Sequence, residues 1–283
     1  MDKLEELYAK FAREKQFLSG VSPRTVKWYR FAFNRWNTLI GQMPDGENIK
    51  DFVIRLTESG VEAVTVNMYA RAFNSFLTWL HTEGHIPERI RISRVKEGQK
   101  PPKTYSEETL KRFLSWRPTT FEGFRLHTMI CVAIDTGARV DELLTLKRDS
   151  INLDDLFITV LGKGNKQRTI PISVECRKVL YHFLKRHDSD IAFPKQDGAQ
   201  LSYGAALDQL KSVAAKLGVK GKVGFHGLRH TFATSYLRDG GNLIYLSRLL
   251  GHADLQTTRI YINNNVEDLA LVHKKTSLLS KLR

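Results

Sequence analysis

A charged segment with two consecutive prolines, at residues 96–103, constrains how this chain can fold. Within it, four charged residues and a glycine accompany Pro101 and Pro102. Proline lacks the amide hydrogen that a helix needs and favours an extended backbone, so the segment is typical of a linker. At 283 residues the chain also exceeds the size at which single cores usually stop growing. We therefore predict one domain over residues 1–95 and a second over 104–283.

The first domain is predicted to be entirely helical. Spacings of three and four residues separate the apolar side chains of residues 26–40 and of 66–80, so each set lines one face of a helix. The pair Ser22–Pro23 supplies an N-cap and a first-turn proline. Helices near residues 4–18 and 47–58 complete a four-helix bundle. Because the aromatic residues follow the helical period, we expect them to pack in the core and not to stack on nucleic-acid bases.

The second domain is predicted to combine helices with a β-hairpin. Residues 157–161 and 168–172 are short β-branched and apolar runs, and the turn between them is basic. Helical periodicity and glycine stops define the remaining elements. The predicted helices are 106–116, 122–136, 174–187, 203–217, 226–239, 242–250 and 254–261. The fold class is therefore mainly α with a small β-sheet.

The charge of the chain favours a polyanionic partner. The formal net charge is +14 and the sequence pI is about 9.8. Residues 1–95 carry 14 basic and 11 acidic residues, whereas residues 96–283 carry 30 and 19, so most of the excess lies in the second domain. Each Lys or Arg placed on a phosphate releases a counterion, which makes nucleic acid the leading candidate. An anionic membrane surface is the alternative.

Other classes of protein are disfavoured. The longest apolar runs, such as residues 129–134, are too short to span a bilayer, and the N-terminus lacks a signal-peptide core. We therefore expect a soluble cytoplasmic protein. Cys131 and Cys176 lie far apart with no CxxC or Cys/His spacing. We expect them to be buried structural thiols, and neither a disulfide nor a zinc site is indicated.

A first candidate cluster contains Arg139 and Glu142, which follow a break at Thr136 and Gly137. If a helix begins there, the two side chains share one face. A guanidinium that a carboxylate orients can offer its fork to two phosphate oxygens. The same pair is also common as an ordinary surface salt bridge.

A second cluster contains His226, Arg229 and His230, whose spacing puts all three on one side of a helix. The two histidines have the separation of a helical metal pair. However, the general-base glutamate of HExxH is absent, and Arg229 would place positive charge beside any cation. An arginine beside an imidazole suits an anionic phosphoryl oxygen. We interpret His230 as a structural residue that is satisfied in the core.

A third cluster contains His252, which follows a glycine at a helix end, and Tyr261 nine residues later. A phenol can attack phosphorus if cationic neighbours or a base favour loss of its proton, although a lone tyrosine is more often a packing residue. The hairpin turn adds Lys163 and Lys166. A lysine on such a turn can protonate a leaving alkoxide. We favour a solvated backbone contact for Lys166, whereas local sequence leaves the role of Lys163 open.

Four motifs, at residues 136–143, 161–172, 226–234 and 249–262, together resemble the tyrosine recombinase family, which includes phage integrases and Xer-type recombinases. Their order and separations are far more specific than any one of them, and the likeness spans nearly the entire chain. The resemblance implies a four-helix, SAM-like core-binding domain and an α+β catalytic domain. These would form a C-shaped clamp on DNA.

The resemblance also implies residue roles and a reaction that needs no metal or cofactor. The implied roles are Tyr261 as nucleophile, Arg139 and Arg229 as phosphate clamp, Lys163 as general acid, His226 and His252 in binding or proton exchange with the scissile phosphate, and Glu142 as support. Cleavage would give a 3′-phosphotyrosyl link and a free 5′-hydroxyl. Two rounds of strand exchange would pass through a Holliday junction.

The implied assembly is a tetramer, of this chain alone or with a related recombinase, on double-stranded DNA recombination sites. The 22 residues after Tyr261 carry an apolar stripe, and we expect them to form a C-terminal helix that docks on a neighbouring protomer. No arm-binding domain is evident ahead of the first helix, so we expect a simple Xer-like, nucleoid-associated enzyme. The task could be integration, excision or dimer resolution. The alternatives are a type IB topoisomerase-like enzyme, which relaxes supercoils as a monomer, and a non-catalytic DNA-binding protein.

Overall fold

The computed structural model describes residues 3–98, 102–162, 166–252 and 254–261. The chain divides into two compact units, Met1–Gln99 and Lys100–Arg283. Lys163 and the C-terminal apolar segment at 262–283 lie outside the described residues. Among the helices that are described, none is both long enough and apolar enough to cross a membrane.

Four helices form the N-terminal unit, as the sequence predicts. They are α1 (Lys3–Phe17), α2 (Pro23–Leu39), α3 (Asn48–Glu58) and α4 (Ala63–Thr82). Helix α2 begins as expected, because the Ser22 hydroxyl accepts a hydrogen bond from the Thr25 amide and Pro23 occupies the first turn. The apolar faces of all four helices meet in one core.

Aromatic rings fill the centre of this bundle. The ring of Trp36 stacks on that of Phe73 with centroids 4.5 Å apart, and Phe33 meets Phe76 edge-on at 5.8 Å. All four side chains are at most 1% exposed. Burial of each such ring contributes about 1.5–3 kcal/mol, and the ring geometry adds to this. The prediction of core packing is confirmed for these four rings.

An extended segment leaves the bundle along α4 and is held there by two asparagine side chains. Asn74 accepts a hydrogen bond from the amide of Ile92 (2.8 Å) and donates one to its carbonyl (3.0 Å). Asn67 makes the same pair of bonds with Val95, both 2.8 Å long. Seven helical residues advance about 10.5 Å and three extended residues about 10 Å, so the two spacings match. The chain is thus anchored on α4 as far as Val95.

Eight helices and a small sheet form the described part of the C-terminal unit. The helices are α5 (Glu107–Ser115), α6 (Phe121–Thr136), α7 (Val140–Leu144), α8 (Val174–Leu184), α9 (Tyr203–Lys216), α10 (Phe225–Arg238), α11 (Leu243–Leu250) and α12 (Gln256–Arg259). Strands β1 (Ile151–Asn152), β2 (Phe157–Leu161) and β3 (Gln167–Pro171) form an antiparallel sheet in that order, with Ile158 opposite Ile170. Helix α6 is central and packs against α8 and α10. The predicted fold class, mainly α with a small sheet, is confirmed.

Two elements of this unit differ from the prediction. Strand β1 extends the predicted hairpin to three strands, and at two residues it is too short to leave a sequence pattern. Helix α12 has four residues, whereas the sequence predicts eight at 254–261. Before α12 the Asp254 carboxylate accepts from the Gln256 amide two residues on, a local bond that competes with helix. The β-branched residues in this stretch also favour helix less than unbranched ones do.

The two cysteines are buried free thiols, as predicted. Burial raises the pKa of the Cys131 thiol to about 11, and it raises the pKa of Cys176 as well. Such thiols keep their proton at neutral pH and are poor nucleophiles and metal ligands.

Candidate active site

Two left-handed glycines shape the backbone of the candidate site. Gly137 ends α6 and Gly251 ends α11, each with φ of 63°. An added Cβ would lie 2.3 Å from the Phe232 ring at the first position and 2.8 Å from the Arg168 guanidinium at the second. Backbone conformation and close approach therefore both require glycine at these two turns.

Three arginines converge on the C-terminal end of α11. Their donations run from Arg168 Nε to Leu249 O (2.8 Å), from Arg229 Nη2 to Leu250 O (2.8 Å) and from Arg139 Nη2 to Gly251 O (3.3 Å). The last carbonyls of a helix have no partner within the helix and form the negative end of its dipole. This helix end therefore gathers guanidinium groups from β3, from α10 and from the residue that precedes α7.

One buried carboxylate balances part of this charge. Glu142 is 3% exposed and accepts both terminal nitrogens of Arg168, at 2.6 and 2.8 Å. It also accepts the Arg139 guanidinium at 3.0 Å and the Arg139 backbone amide at 2.7 Å. Burial alone would raise the pKa of Glu142, but hydrogen bonds to Arg168 and Arg139 and the charge of Arg168 hold it below its usual range. Glu142 is thus ionised at neutral pH and orients both arginines.

Arg229 is buried and is held from three sides. Besides Leu250 O, it donates to Gly137 O at 2.7 Å, and its Nη2 lies 3.0 Å from His252 Nε2. Because a guanidinium only donates, Nε2 of His252 is the acceptor, and its Nδ1 proton is donated to the Thr258 hydroxyl at 2.8 Å. Burial, followed by the charges of Arg229 and two further arginines, lowers the pKa of His252 to about 4. His252 is therefore neutral at pH 7 and positions Arg229.

Tyr261 lies just beyond α12 and packs on α10 and α11. Its ring is buried against Ala233, Leu246 and Leu250. Burial raises the pKa of the Tyr261 phenol, and the charge of Arg229 opposes that shift only in part. The tyrosine oxygen therefore lies within the field of the arginine cluster.

His226 lies on the exposed side of α10, and its ring centroid is 6.1 Å from that of His230. Burial of part of its ring, followed by the charges of Arg229 and Arg139, lowers the pKa of His226. Six of the seven predicted site residues are described, and they contribute to one cluster around the end of α11. The seventh, Lys163, falls outside the described residues.

Two further residues belong to this cluster although the sequence reasoning did not place them there. Arg168 was not singled out. It shares one face of β3 with Ile170, and an arginine on the inward face of a strand must find a buried partner. The sequence alone favours a structural core role for His230; in the structure its ring is half-buried and its Nδ1 lies 2.9 Å from the Tyr261 hydroxyl. The sequence signal for His230 is its position four residues after His226, on the same face of the helix.

The site as a whole carries an excess of positive charge. Three guanidinium groups face one carboxylate, and His252 is neutral at pH 7. The Arg139 side chain is 33% exposed, whereas that of Arg168 is 12% exposed, so Arg139 is the more open of these two. Such a cluster can bind an anion beside a tyrosine hydroxyl.

The chain is similar to known recombinases in sequence and in fold. The sequence model of the phage integrase family matches residues 103–268. Tyrosine recombinase XerD of Listeria monocytogenes serotype 4b (strain F2365) is 32% identical over 277 residues, which cover 90% of this chain and 93% of that protein. A crystal structure of XerH site-specific recombinase, bound to palindromic difH substrate, superposes with a TM-score of 0.76 at 20% identity, over 99% of this chain and 85% of that one. A lambda integrase tetramer bound to a Holliday junction gives 0.73 at 15% identity, over 92% and 77%.

The two structural likenesses define the class of fold, which is that of the tyrosine recombinases. The chain belongs to the phage integrase family. Family membership, as implied by the four motifs, is thereby confirmed, and the protein is a site-specific recombinase that cleaves and rejoins DNA strands.

Proposed function

We propose that this recombinase cleaves DNA through Tyr261, which forms a 3′-phosphotyrosine, and that strand exchange proceeds through a Holliday junction. The observation that carries the proposal is the charge balance at the end of α11. Three guanidinium groups and one carboxylate leave two positive charges beside the tyrosine hydroxyl. A phosphodiester carries one negative charge, and negative charge on its oxygens grows as the phenol oxygen attacks. The cluster therefore stabilises the transition state more than the ground state.

The proposed roles of the described residues follow from the positions of their side chains. Arg139 and Arg229 would bind the scissile phosphate, with Glu142 as their support and Arg168 as a second support that joins Glu142 to α11. His226 would approach the phosphate from the exposed side of α10. His252 would act next to Arg229, which it already positions. The resemblance to the family alone supports Lys163 as the general acid.

The proposed reaction balances without an external energy source. The Tyr261 hydroxyl gives its proton to a base as its oxygen bonds to phosphorus, the bond from phosphorus to the 5′ oxygen breaks, and that oxygen takes a proton from Lys163. In rejoining, the 5′-hydroxyl of a partner strand returns a proton to Lys163 as it attacks the phosphotyrosine, and the departing phenol oxygen regains a proton from the base. Each step forms one phosphorus–oxygen bond and breaks one, so the bond energy is conserved.

We propose that residues 1–95 bind the DNA recombination site and that residues 104–283 carry the chemistry. On the N-terminal unit, Arg71, Arg91 and Arg94 line a cavity of about 700 Å³ beside the segment that Asn67 and Asn74 hold. Several arginines around one concave surface suit a phosphate backbone. Binding should therefore weaken steeply as salt is raised.

The likeness of fold to a lambda integrase tetramer on a Holliday junction supports a tetrameric assembly. We propose four copies of this chain, or pairs with a related recombinase, joined through the segment after Tyr261. A protein with this substrate would act on chromosomal DNA, in the cytoplasm and at the nucleoid.

A nicked suicide substrate tests the proposed nucleophile. Cleavage of such a duplex releases a short strand and traps the protein on the 3′-phosphate. The wild type should form a covalent adduct, and Tyr261→Phe should form none, since the reacting oxygen is gone. Tyr245→Phe is the matched control, because Tyr245 is 59% exposed on α11 and should react as the wild type does.

The suicide substrate, together with DNA-binding and plasmid relaxation and exchange assays, distinguishes the alternatives. No adduct with the wild type, together with tight DNA binding, would indicate a non-catalytic DNA-binding protein. Relaxation of a supercoiled plasmid with no exchange between two sites would indicate a topoisomerase-like enzyme. An adduct that persists in Tyr261→Phe would show that another residue is the nucleophile.

A further inference from the structure

His230 directly contacts the oxygen atom that the proposed reaction uses. It follows Arg229 on α10, and its Nδ1 lies 2.9 Å from the Tyr261 hydroxyl. The two ring centroids are 5.6 Å apart, with an interplanar angle of 50°. Tyr261 is 4% exposed, so its hydroxyl makes this hydrogen bond in a site that solvent barely reaches. A neutral phenol can donate its proton to an imidazole nitrogen that carries none.

The surroundings of His230 favour the neutral imidazole that such a contact requires. Burial, followed by the influence of His226 and Arg229, lowers the pKa of His230. Burial raises the pKa of Tyr261, so its phenol keeps its proton at pH 7. The pair therefore combines a protonated Tyr261 phenol with a neutral His230 imidazole that can accept the phenol proton.

The other two histidines of the site are placed differently. Both ring nitrogens of His252 are engaged, by Arg229 and by Thr258. His226 lies on the exposed side of α10, beside His230. Among the hydrogen bonds of the described residues, the Tyr261 hydroxyl is joined to His230 and to neither of these two.

We propose that His230 is the general base for DNA cleavage and takes the Tyr261 proton through Nδ1 as the phenol oxygen attacks phosphorus. The inference rests on the proposed function of Tyr261. In the forward step the oxygen–hydrogen bond of the phenol breaks, the oxygen–phosphorus bond forms, and the 5′ oxygen leaves with a proton from a separate acid. In the rejoining step the imidazolium returns its proton to the departing phenol oxygen, so His230 ends as it began.

The experiment compares three substitutions in a single-turnover cleavage assay on the nicked suicide substrate. His230→Ala removes the nitrogen. His230→Asn keeps an acceptor oxygen near the position of Nδ1 but cannot take up a proton. His182→Ala is the matched control, since His182 is an exposed histidine on α8. Affinity for the same DNA and the thermal midpoint, Tm, are measured for each variant, so that a folding defect is recognised.

Both His230 variants should cleave about 10²- to 10⁴-fold more slowly at pH 7, the range typical of a lost general base, with DNA affinity unchanged. The wild-type rate should fall as pH is lowered through the pKa of His230, which lies below 6.5. In both variants the break in the pH profile at this pKa should disappear. Their rates should instead rise about tenfold per pH unit until the phenol itself ionises above pH 10.

Two outcomes would overturn the inference while the proposed function stands. Near-wild-type cleavage by His230→Asn would show that the residue only positions the tyrosine. Wild-type cleavage by His230→Ala would show that the contact has no part in the reaction. If the wild type itself forms no adduct, the proposed function fails first, and the two failures are thereby distinguished.

Discussion

The two units of this protein bury different kinds of side chain. The N-terminal unit buries neutral rings, with Trp36, Phe73 and Phe76 packed at the centre of four helices. The C-terminal unit also has an apolar core, but beside it Glu142 and Arg229 are almost as inaccessible as those rings. Rings need only shape and volume, whereas buried charges need specific partners.

Because of this difference, we expect the two units to tolerate different substitutions. An apolar core accepts side chains of similar size because its contacts have little direction. In the arginine cluster each guanidinium donates to at least two defined acceptors, and removing one partner leaves an uncompensated charge. A change that conserves volume should therefore be mild in the first unit and severe in the second.

The largest effect is expected for Glu142→Gln, which conserves size and removes the charge. Arg168 and Arg139 would lose their shared counter-charge, and an amide N–H₂ would face a guanidinium. We expect the C-terminal unit to lose about 3 kcal/mol of stability, at the low end for a broken buried pair because Arg139 is partly exposed. Cleavage should fall by at least about 10²-fold, since both arginines lose their orientation. Hydrogen exchange resolved by unit measures the first effect, and the suicide substrate measures the second.

The comparison variant is Phe76→Leu in the aromatic core. It should destabilise the N-terminal unit by about 1–2 kcal/mol and leave protection of the C-terminal unit unchanged. If Glu142→Gln proves as mild as Phe76→Leu, the contrast between the two modes of burial is wrong.

The same contrast explains what the sequence could predict. Helical periodicity predicted the four N-terminal helices because ring burial follows the local spacing of residues. The arginine cluster joins Arg139 to Gly251 across 112 residues and Arg168 to Leu249 across 81, and no local pattern records such contacts. The motifs indicate most of these residues, but they predict neither the contact of Arg168 with Glu142 nor that of His230 with Tyr261. These contacts join residues that are far apart in the sequence and near each other only in the fold.

A second, smaller effect is expected from acid. His252 has a pKa of about 4 in the folded protein and about 6.5 when unfolded, so between these values the unfolded chain binds a proton that the folded protein does not. His252 should therefore lower the stability of the C-terminal unit by at most about 2 kcal/mol as pH falls from 6.5 to 4, because solvent screens a half-buried ring. His226 and His230, whose pKa values burial also lowers, add to this decline. Ionised Glu142 adds a further loss below its unfolded pKa of about 4.3.

Hydrogen exchange at several pH values, corrected for intrinsic rates, measures this decline. The rings at the centre of the N-terminal unit do not titrate in this range, and the pKa of the neighbouring Tyr8 is raised to about 12. His252→Gln should reduce the slope in the C-terminal unit. An equal slope in this variant would contradict the assignment of the decline to His252.

The smallest effect is expected for Asn74→Ala in the N-terminal unit, where a neutral amide holds the extended segment at Ile92. The change removes two hydrogen bonds to Ile92, and exposed neighbours let water replace part of them. We expect local opening to become about 1 kcal/mol easier, which corresponds to roughly fivefold faster trypsin cleavage after Arg91 and Arg94. Asn34→Ala on the exposed face of α2 is the matched control and should leave cleavage unchanged. Because the amide pair carries no net charge, the effect should be the same at pH 5 and pH 7. A strong pH dependence would show that the N-terminal unit, too, relies on buried charge.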